Sequence, residues 1–203
     1  MPFFFDTETT GKWNFKSDYK DPKQPALVQV AGILDDGYED ILGEFNFLVR
    51  VPDDKEIEPG AAAVHGITRA KAERGAVGLI TVLNLFESYL VHAGGLIVGH
   101  NIPFDVKVMQ RYFYTGDPDM GEYPEMSDGL AQCDMRCTMR QATPVCKLPG
   151  KYGYKWPTLT EAYCSLVDPA GFEGAHDAMA DVRASREIYY KLDWFIKHQE
   201  GKY

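Results

Sequence analysis

The chain has 203 residues, of which 45% are hydrophobic and 13% aromatic, enough to bury one substantial core, and a single domain over residues 1–203 is expected. Its 21 lysines and arginines against 30 aspartates and glutamates give a net charge of −9. That argues against gripping nucleic acid through a broadly basic surface, but leaves room for a site in which bound cations supply the local positive charge. The opening run of three phenylalanines is too short for a secretory signal, and no stretch approaches the roughly 18 apolar residues of a membrane span, so a cytoplasmic setting without membrane contact is expected.

Pro2 to Glu8 reads as a short strand running from Phe3, Phe4 and Phe5 into polar residues. Ala26 to Leu34 is rich in β-branched and aliphatic residues, and Ile41 to Val51 alternates Phe45, Phe47 and Val49 with smaller or polar neighbours. Asp35-Asp36-Gly37 between them is a turn signal, so the two segments are expected to pair as a hairpin. Leu79, Val82, Leu83, Phe86 and Leu90 recur at helical spacing, and Gly94-Gly95 ends that helix before a short strand from Leu96 to Gly99. Pro103 suits a first helical turn, with Val106, Met109, Tyr112 and Phe113 continuing the stripe. Cys133, Cys137, Cys146 and Cys164 match neither paired zinc knuckles nor a dense disulfide framework and are expected to be free thiols. Thr158-Leu159-Thr160-Glu161 has the form of a capping box opening a helix through Val167. A last helix from Ala178 to Ile196 aligns Val182, Ser185, Ile188, Tyr189, Leu192, Phe195 and Ile196 on one face. Three strands followed by alternating helices and short strands indicate an α/β sheet with an antiparallel part.

Asp6 and Glu8 stand two residues apart at the end of the first strand, and the strand period of two points both toward one face. A solvated strand end is the ordinary reading of such a pair. The adjoining Phe3, Phe4 and Phe5 imply a buried central strand, where two exposed acids are out of place unless a cation lies between them. Asp105 in a first helical turn, Asp181 on the last helix and His176 just before it are each unremarkable singly. Taken together, four carboxylates from strand ends and two helices are a sufficient set of hard oxygen ligands for two Mg²⁺ or Mn²⁺ ions. Such a pair can clamp the attacking and leaving oxygens of a phosphodiester. A histidine titrating near neutral pH suits removal of the proton from the attacking water.

In chain order, Phe5-Asp6-Thr7-Glu8-Thr9-Thr10-Gly11, Val64-His65-Gly66-Ile67-Thr68, Gly99-His100-Asn101-Ile102-Pro103-Phe104-Asp105 and His176-Asp177-Ala178-Met179-Ala180-Asp181 resemble the motifs of the DEDDh exonucleases. That family includes proofreading subunits of replicative DNA polymerases, RNase T and oligoribonuclease. The resemblance implies a ribonuclease H-like fold, in which a mixed central β-sheet of an antiparallel hairpin plus parallel strands is flanked by α-helices. It implies Asp6, Glu8, Asp105 and Asp181 as ligands of two divalent metal ions, Mg²⁺ or Mn²⁺, and His176 as general base. Thr9, Thr10 and Gly11 would line the terminal nucleotide, with His65, Asn101 and Phe104 near the substrate strand; a helix-end cap is the alternative for His65. The implied activity is 3′-to-5′ release of nucleoside 5′-monophosphates from single-stranded nucleic acid, DNA favoured over RNA. Two alternatives stay open: an exoribonuclease trimming short RNA, and a non-catalytic module holding nucleic-acid ends or a polymerase. The complete set of acids and histidine speaks against the second. A polymerase or another replication protein is a candidate partner, and oligomeric state is not written in the sequence.

Two further segments interleave aromatics with lysines. Residues 12–25 hold Trp13, Phe15 and Tyr19 among Lys12, Lys16, Lys20 and Lys23; residues 147–156 hold Tyr152, Tyr154 and Trp156 among Lys147, Lys151 and Lys155, without an acid. Both are expected to flank a groove for a single strand, because rings stack on bases and lysines attract phosphates. The alternative for each is a solvated loop with its aromatics folded onto the core.

Overall fold

A computed structural model describes residues 1–115 and 124–200, with side chains described as far as Trp194. Its centre is β1 (Phe3–Thr9), flanked on one side by β2 (Leu27–Asp35) and β3 (Ile41–Leu48) and on the other by β4 (Leu96–Gly99) and β5 (Asp134–Cys137), giving the order β3-β2-β1-β4-β5. β1 pairs antiparallel with β2 and parallel with β4, so the sheet is mixed, as expected. All nine residues of β2 are buried, the pattern of a strand covered on both faces. β3 ends at Leu48, short of the expected Val51; the Val49 amide still donates to the Val28 carbonyl of β2, and on its other side the chain pairs with Val77, whose amide donates to the Leu48 carbonyl and whose carbonyl accepts the Arg50 amide.

The helices cover the two faces of β1. Phe3 and Phe5 point into a core with α3 (Leu79–Ala93) and α4 (Pro103–Thr115), and Phe86 meets both rings edge-on at 5.0 and 4.8 Å. Phe4 points the other way, against Val182 and Ala178 of α8 (Ala178–Glu200). Burying each of these phenylalanines stabilises the fold by roughly 1.5–3 kcal/mol, which makes β1 a rigid base for Asp6 and Glu8. Phe195 and Ile196, expected on the apolar face of α8, have side chains outside the described residues. α8 is also fixed at the far turn: the Arg186 guanidinium donates to the fully buried Asp35 at 2.7 Å, and the Tyr190 hydroxyl donates to the same carboxylate.

Smaller elements complete the layers. α1 (Pro59–His65) reaches the end of β1 through His65 and α2 (Arg69–Gly75) packs on β3; α5 (Pro124–Ala131) packs on α4; α6 (Thr138–Cys146) and α7 (Leu159–Leu166) pack with α8; and β6 (Pro149–Gly150) and β7 (Gly153–Tyr154) form a small separate hairpin. The capping box at Thr158 and Glu161 is present as expected. All four cysteines are free, with Cys137 buried. No described helix is long and apolar enough to cross a membrane.

Candidate active site

The acids gather where β1 ends. Alternation along β1 sends Thr7 to the face of Phe3 and Phe5, and sends Asp6 and Glu8 to the face of Phe4, toward α8. A register irregularity between Glu8 and Thr9 shifts the pairing with β2 just past the second acid, the kind of local re-aiming that strand bulges provide beside functional sites. On the neighbouring strand, Gly99 must lack a side chain: a Cβ there would lie 3.0 Å from the Phe5 carbonyl oxygen and 2.8 Å from Ile102. The close approach lets the chain turn at Asn101, in a left-handed conformation with φ 69°, and start α4 with Asp105.

Asp105 reaches β1 from the opposite face to α8. Its Oδ1 accepts both the Thr7 amide, at 3.0 Å, and the Thr7 hydroxyl, at 2.7 Å. Thr7, the residue between the two strand acids, was not among the expected site residues; its signal was its alternation with Asp6 and Glu8. A hydrogen bond to a charged, buried partner contributes roughly 1.5–3 kcal/mol. Thr7→Val should therefore lower the melting temperature by several degrees and cut activity while leaving the four acids in the chain. An unchanged melting curve would remove Thr7 from the support of Asp105.

α8 brings the rest. Both carboxylate oxygens of Asp181 accept the His176 amide, at 3.2 and 3.3 Å, which holds His176 in a left-handed conformation with φ 71° just ahead of the helix. Glu8, His176 and Asp181 each offer one ligand atom, and these atoms lie within 4.8 Å of one another. Asp6 and Asp105 stand outside that tight trio but are coupled to it electrostatically, Asp105 raising Glu8 and both Glu8 and Asp181 raising Asp6. A fifth acid, Asp177, also escaped the sequence reading. Its Oδ1 accepts the Met179 and Ala180 amides at the start of α8, and its Oδ2 accepts from Gln29 of β2. A cap position before an apolar helix is the signal that could have found it.

Crowding these acids in a partly enclosed site disfavours their charged forms. Asp6 is pushed well above the usual carboxylate range, by burial first and then by Asp105, Asp181 and Glu8. Glu8 rises to about 8, by burial and then by Asp181 and Asp105. Burial takes Asp105 to about 7 against the lowering effect of the Thr7 hydrogen bonds, and takes Asp181 to about 6 against that of the His176 amide. Crowded oxygen donors whose mutual repulsion is relieved by a proton or by a bound cation are the chemistry of a hard divalent metal site, so the residues present fit such ions.

The expected nucleotide-contacting residues divide. Glu8, Thr9, Gly11, Glu58, Val64 and His65 are among the residues lining a cleft of about 380 Å³ that opens beside the acids, within the range of small-ligand sites. Thr10 is inside: its hydroxyl accepts the Ala26 amide, and its backbone pairs with Ala26. Thr9 uses its hydroxyl on the Gly11 carbonyl. His65 ends α1 with both ring nitrogens engaged. Nδ1 accepts the Ile67 amide, so the proton is on Nε2, which donates to the Thr9 carbonyl at 3.3 Å. Burial lowers its pKa and keeps the ring neutral. Asn101 is exposed, and Phe104 packs against Trp13 and Phe15. His100, between Gly99 and Asn101, has a structural role: Nε2 donates to the Pro157 carbonyl and Nδ1 faces the Thr138 hydroxyl, both at 3.0 Å.

The sheet order, the helices on its two faces and the acids at the end of its central strand define a nuclease domain of ribonuclease H-like architecture. The chain belongs to the RNase T exonuclease family, whose model, described as Exonuclease, matches residues 3–189, and its motifs are those of the DEDDh type. Among solved structures it is similar to Escherichia coli Exonuclease I in complex with a dA16 oligonucleotide, with TM-score 0.66 and 20% identity, covering 97% of this chain and 43% of that one. It is likewise similar to the zinc-bound form of the E. coli enzyme with single-stranded DNA, with TM-score 0.67 and 22% identity over 97% and 43% of the two chains. A moderately thermophilic Exonuclease I from Methylocaldum szegediense gives TM-score 0.64 and 20% identity, over 99% of this chain and 41% of that one. The chain thus spans less than half the length of the Exonuclease I chains it matches. A search of curated protein sequences gave no match.

Proposed function

We propose that this domain is a metal-dependent 3′-to-5′ exonuclease that removes nucleoside 5′-monophosphates from single-stranded DNA. The observation that carries the reading is the convergence of Glu8, Asp181 and His176 on one another, with Asp105 close enough to raise Glu8 and Asp6 close enough to be raised by Glu8, Asp105 and Asp181, beside a nucleoside-sized cleft. Asp6, Glu8, Asp105 and Asp181 would hold the ions, which when bound stabilise the charge that develops on the phosphoryl oxygens during hydrolysis. The solved E. coli Exonuclease I complexes, with DNA oligonucleotides and in a zinc-bound form, support DNA as substrate and a metal as cofactor.

The protein's own groups act on the water and the chain end. His176 accepts the proton of the attacking water as its oxygen bonds to phosphorus and the bond to the 3′ oxygen of the preceding nucleotide breaks. Its backbone, tied to Asp181, keeps the ring at the edge of the site, where it is exposed to solvent and can pass the proton on. The cleft lined by Thr9, Gly11 and Val64 receives the terminal nucleoside, and the exposed mouth admits the strand.

Incubation of the protein with 3′- and 5′-labelled single-stranded DNA, duplex DNA and RNA, in Mg²⁺, Mn²⁺ or EDTA, tests the reading. The expected pattern is early release of the 3′ label, loss of activity in EDTA and mononucleotide products. Hydrolysis that persists in EDTA would remove the metal mechanism, and early 5′ release would reverse the polarity. His176→Ala separates the roles of base and ligand. As a base its loss costs roughly 10²–10⁴-fold in turnover with Mn²⁺ affinity unchanged, whereas a matching loss of Mn²⁺ affinity would make it a metal ligand.

A further inference from the structure

The two lysine-and-aromatic segments, alike in sequence, are unlike in the fold. In residues 12–25, Trp13 is 7% exposed and packs edge-on against Phe104, and Tyr19 packs against Tyr114, whose ring also holds the Lys20 ammonium 3.6 Å from its centre. Arg111 of α4 donates to the Tyr19 and Asp21 carbonyls. Phe15 stays open, but it lies near Phe104 and under Lys107. That loop is spent on binding itself to α4. In the β6–β7 hairpin and the residues after it, Tyr152 is 91%, Tyr154 57% and Trp156 62% exposed.

Such a concentration of open rings within five residues is costly in water unless something covers it. The surrounding chemistry restricts what that can be. Lys147 and Lys151 are exposed and make no salt bridge among the described residues, while Lys155 pairs with Glu161. A cationic, ring-bearing ribbon without acids of its own suits a polyanion with aromatic faces rather than an apolar protein surface. Its placement agrees. The hairpin leads to Pro157, whose carbonyl is held by His100, and His100 comes directly after Gly99 at the end of β4. Since Val98 pairs with Phe4 in the parallel register, the residues after Gly99 lie level with Asp6 on the adjacent strand. The chain leaving the hairpin is therefore tied to the end of the sheet where the acids gather.

We propose that the β6–β7 hairpin, and not the 12–25 loop, is the stacking platform for the single DNA strand upstream of the 3′ terminus, with Tyr152, Tyr154 and Trp156 stacking on bases and Lys147 and Lys151 facing phosphates. The proposal rests on the exonuclease reading for the identity of the strand.

The test compares the triple variant Tyr152→Ala, Tyr154→Ala, Trp156→Ala with the conservative triple carrying Phe at the same positions, measuring affinity for a long oligothymidylate in EDTA, where nothing is cut. The alanine variant should bind at least about fivefold more weakly, since one stacked base alone accounts for that much, and the phenylalanine variant should stay within about twofold of the wild type. Equal affinity of the alanine variant and the wild type overturns the proposal, as does an equal loss in both variants, because rings would then be irrelevant. The p-nitrophenyl ester of thymidine 5′-monophosphate separates this from the nuclease reading, having no strand to feed. Both variants should hydrolyse it at the wild-type rate in Mn²⁺, and a slowed rate would assign the hairpin to the metal site instead. Failure of the wild type on this ester and on DNA would sink the nuclease reading, with the binding comparison still deciding the hairpin.

Discussion

Asp181→Asn is expected to fold, to lose roughly 10³-fold in turnover and to melt at a higher temperature than the wild type in EDTA at pH 8. Asparagine keeps an oxygen able to accept the His176 amide, now bonded to Asp181 at 3.2 Å, so the turn before α8 keeps its shape. What is lost is a charge. A bound ion contributes several kcal/mol to the transition state, and each 1.36 kcal/mol is tenfold in rate, so weakening its hold by one ligand accounts for a loss of this order. The gain in stability has the same cause: Asp181 is among the groups that push Asp6 and Glu8 upward, and removing it relaxes both. Activity assays at saturating Mn²⁺ together with melting curves in EDTA check the two halves. A variant that melts below the wild type would show that the acids are not in conflict in the metal-free fold.

The second large effect is a coupling of stability to pH and metal. The carboxyls of Glu8, Asp105 and Asp181 are raised to about 8, 7 and 6 in the folded protein, against roughly 4 in an unfolded chain. Between those limits the folded state binds more protons than the unfolded state, so stability falls as pH rises from about 4 through 8. Below that window both states are protonated, the contribution of these groups is fully present and stability no longer changes with pH through them. His65 and His100 act in the opposite sense, because burial lowers their pKa and their folded form stays neutral. That contribution is largely complete by pH 7, which leaves the range from 7 to 8.5 to the acids. In EDTA the melting temperature should drop across this range, and saturating Mn²⁺ should raise it more at pH 8 than at pH 6, since ion and proton compete for the same oxygens. Equal Mn²⁺ shifts at the two pH values would contradict the linkage.

Much of this was readable from local rules. Helical spacing from Leu79, the Gly94-Gly95 stop, the strand from Leu96 and the capping box at Thr158 all appear in the fold within a few residues of their expected limits, because each depends on neighbours in the chain. β5 went unseen: Asp134–Cys137 is a short strand at the sheet's edge with a half-polar face, and only pairing with β4 makes it a strand. The β6–β7 hairpin was likewise hidden by its two-residue strands.

By itself, then, the sequence determined the class of the domain and the acids to examine, since ordered motifs and a strand period of two are properties of the chain. Tertiary structure alone decided how they are held. It set Asp105 on Thr7 from across the strand, set Asp177 at the head of α8 beside the site, and engaged both nitrogens of His65 within the chain. It also told apart two segments of like composition, folding one onto α4 and leaving the rings of the other in solvent. The physical reason is that burial, hydrogen-bond partners and mutual charge repulsion are relations between residues far apart in sequence, and no local pattern records them.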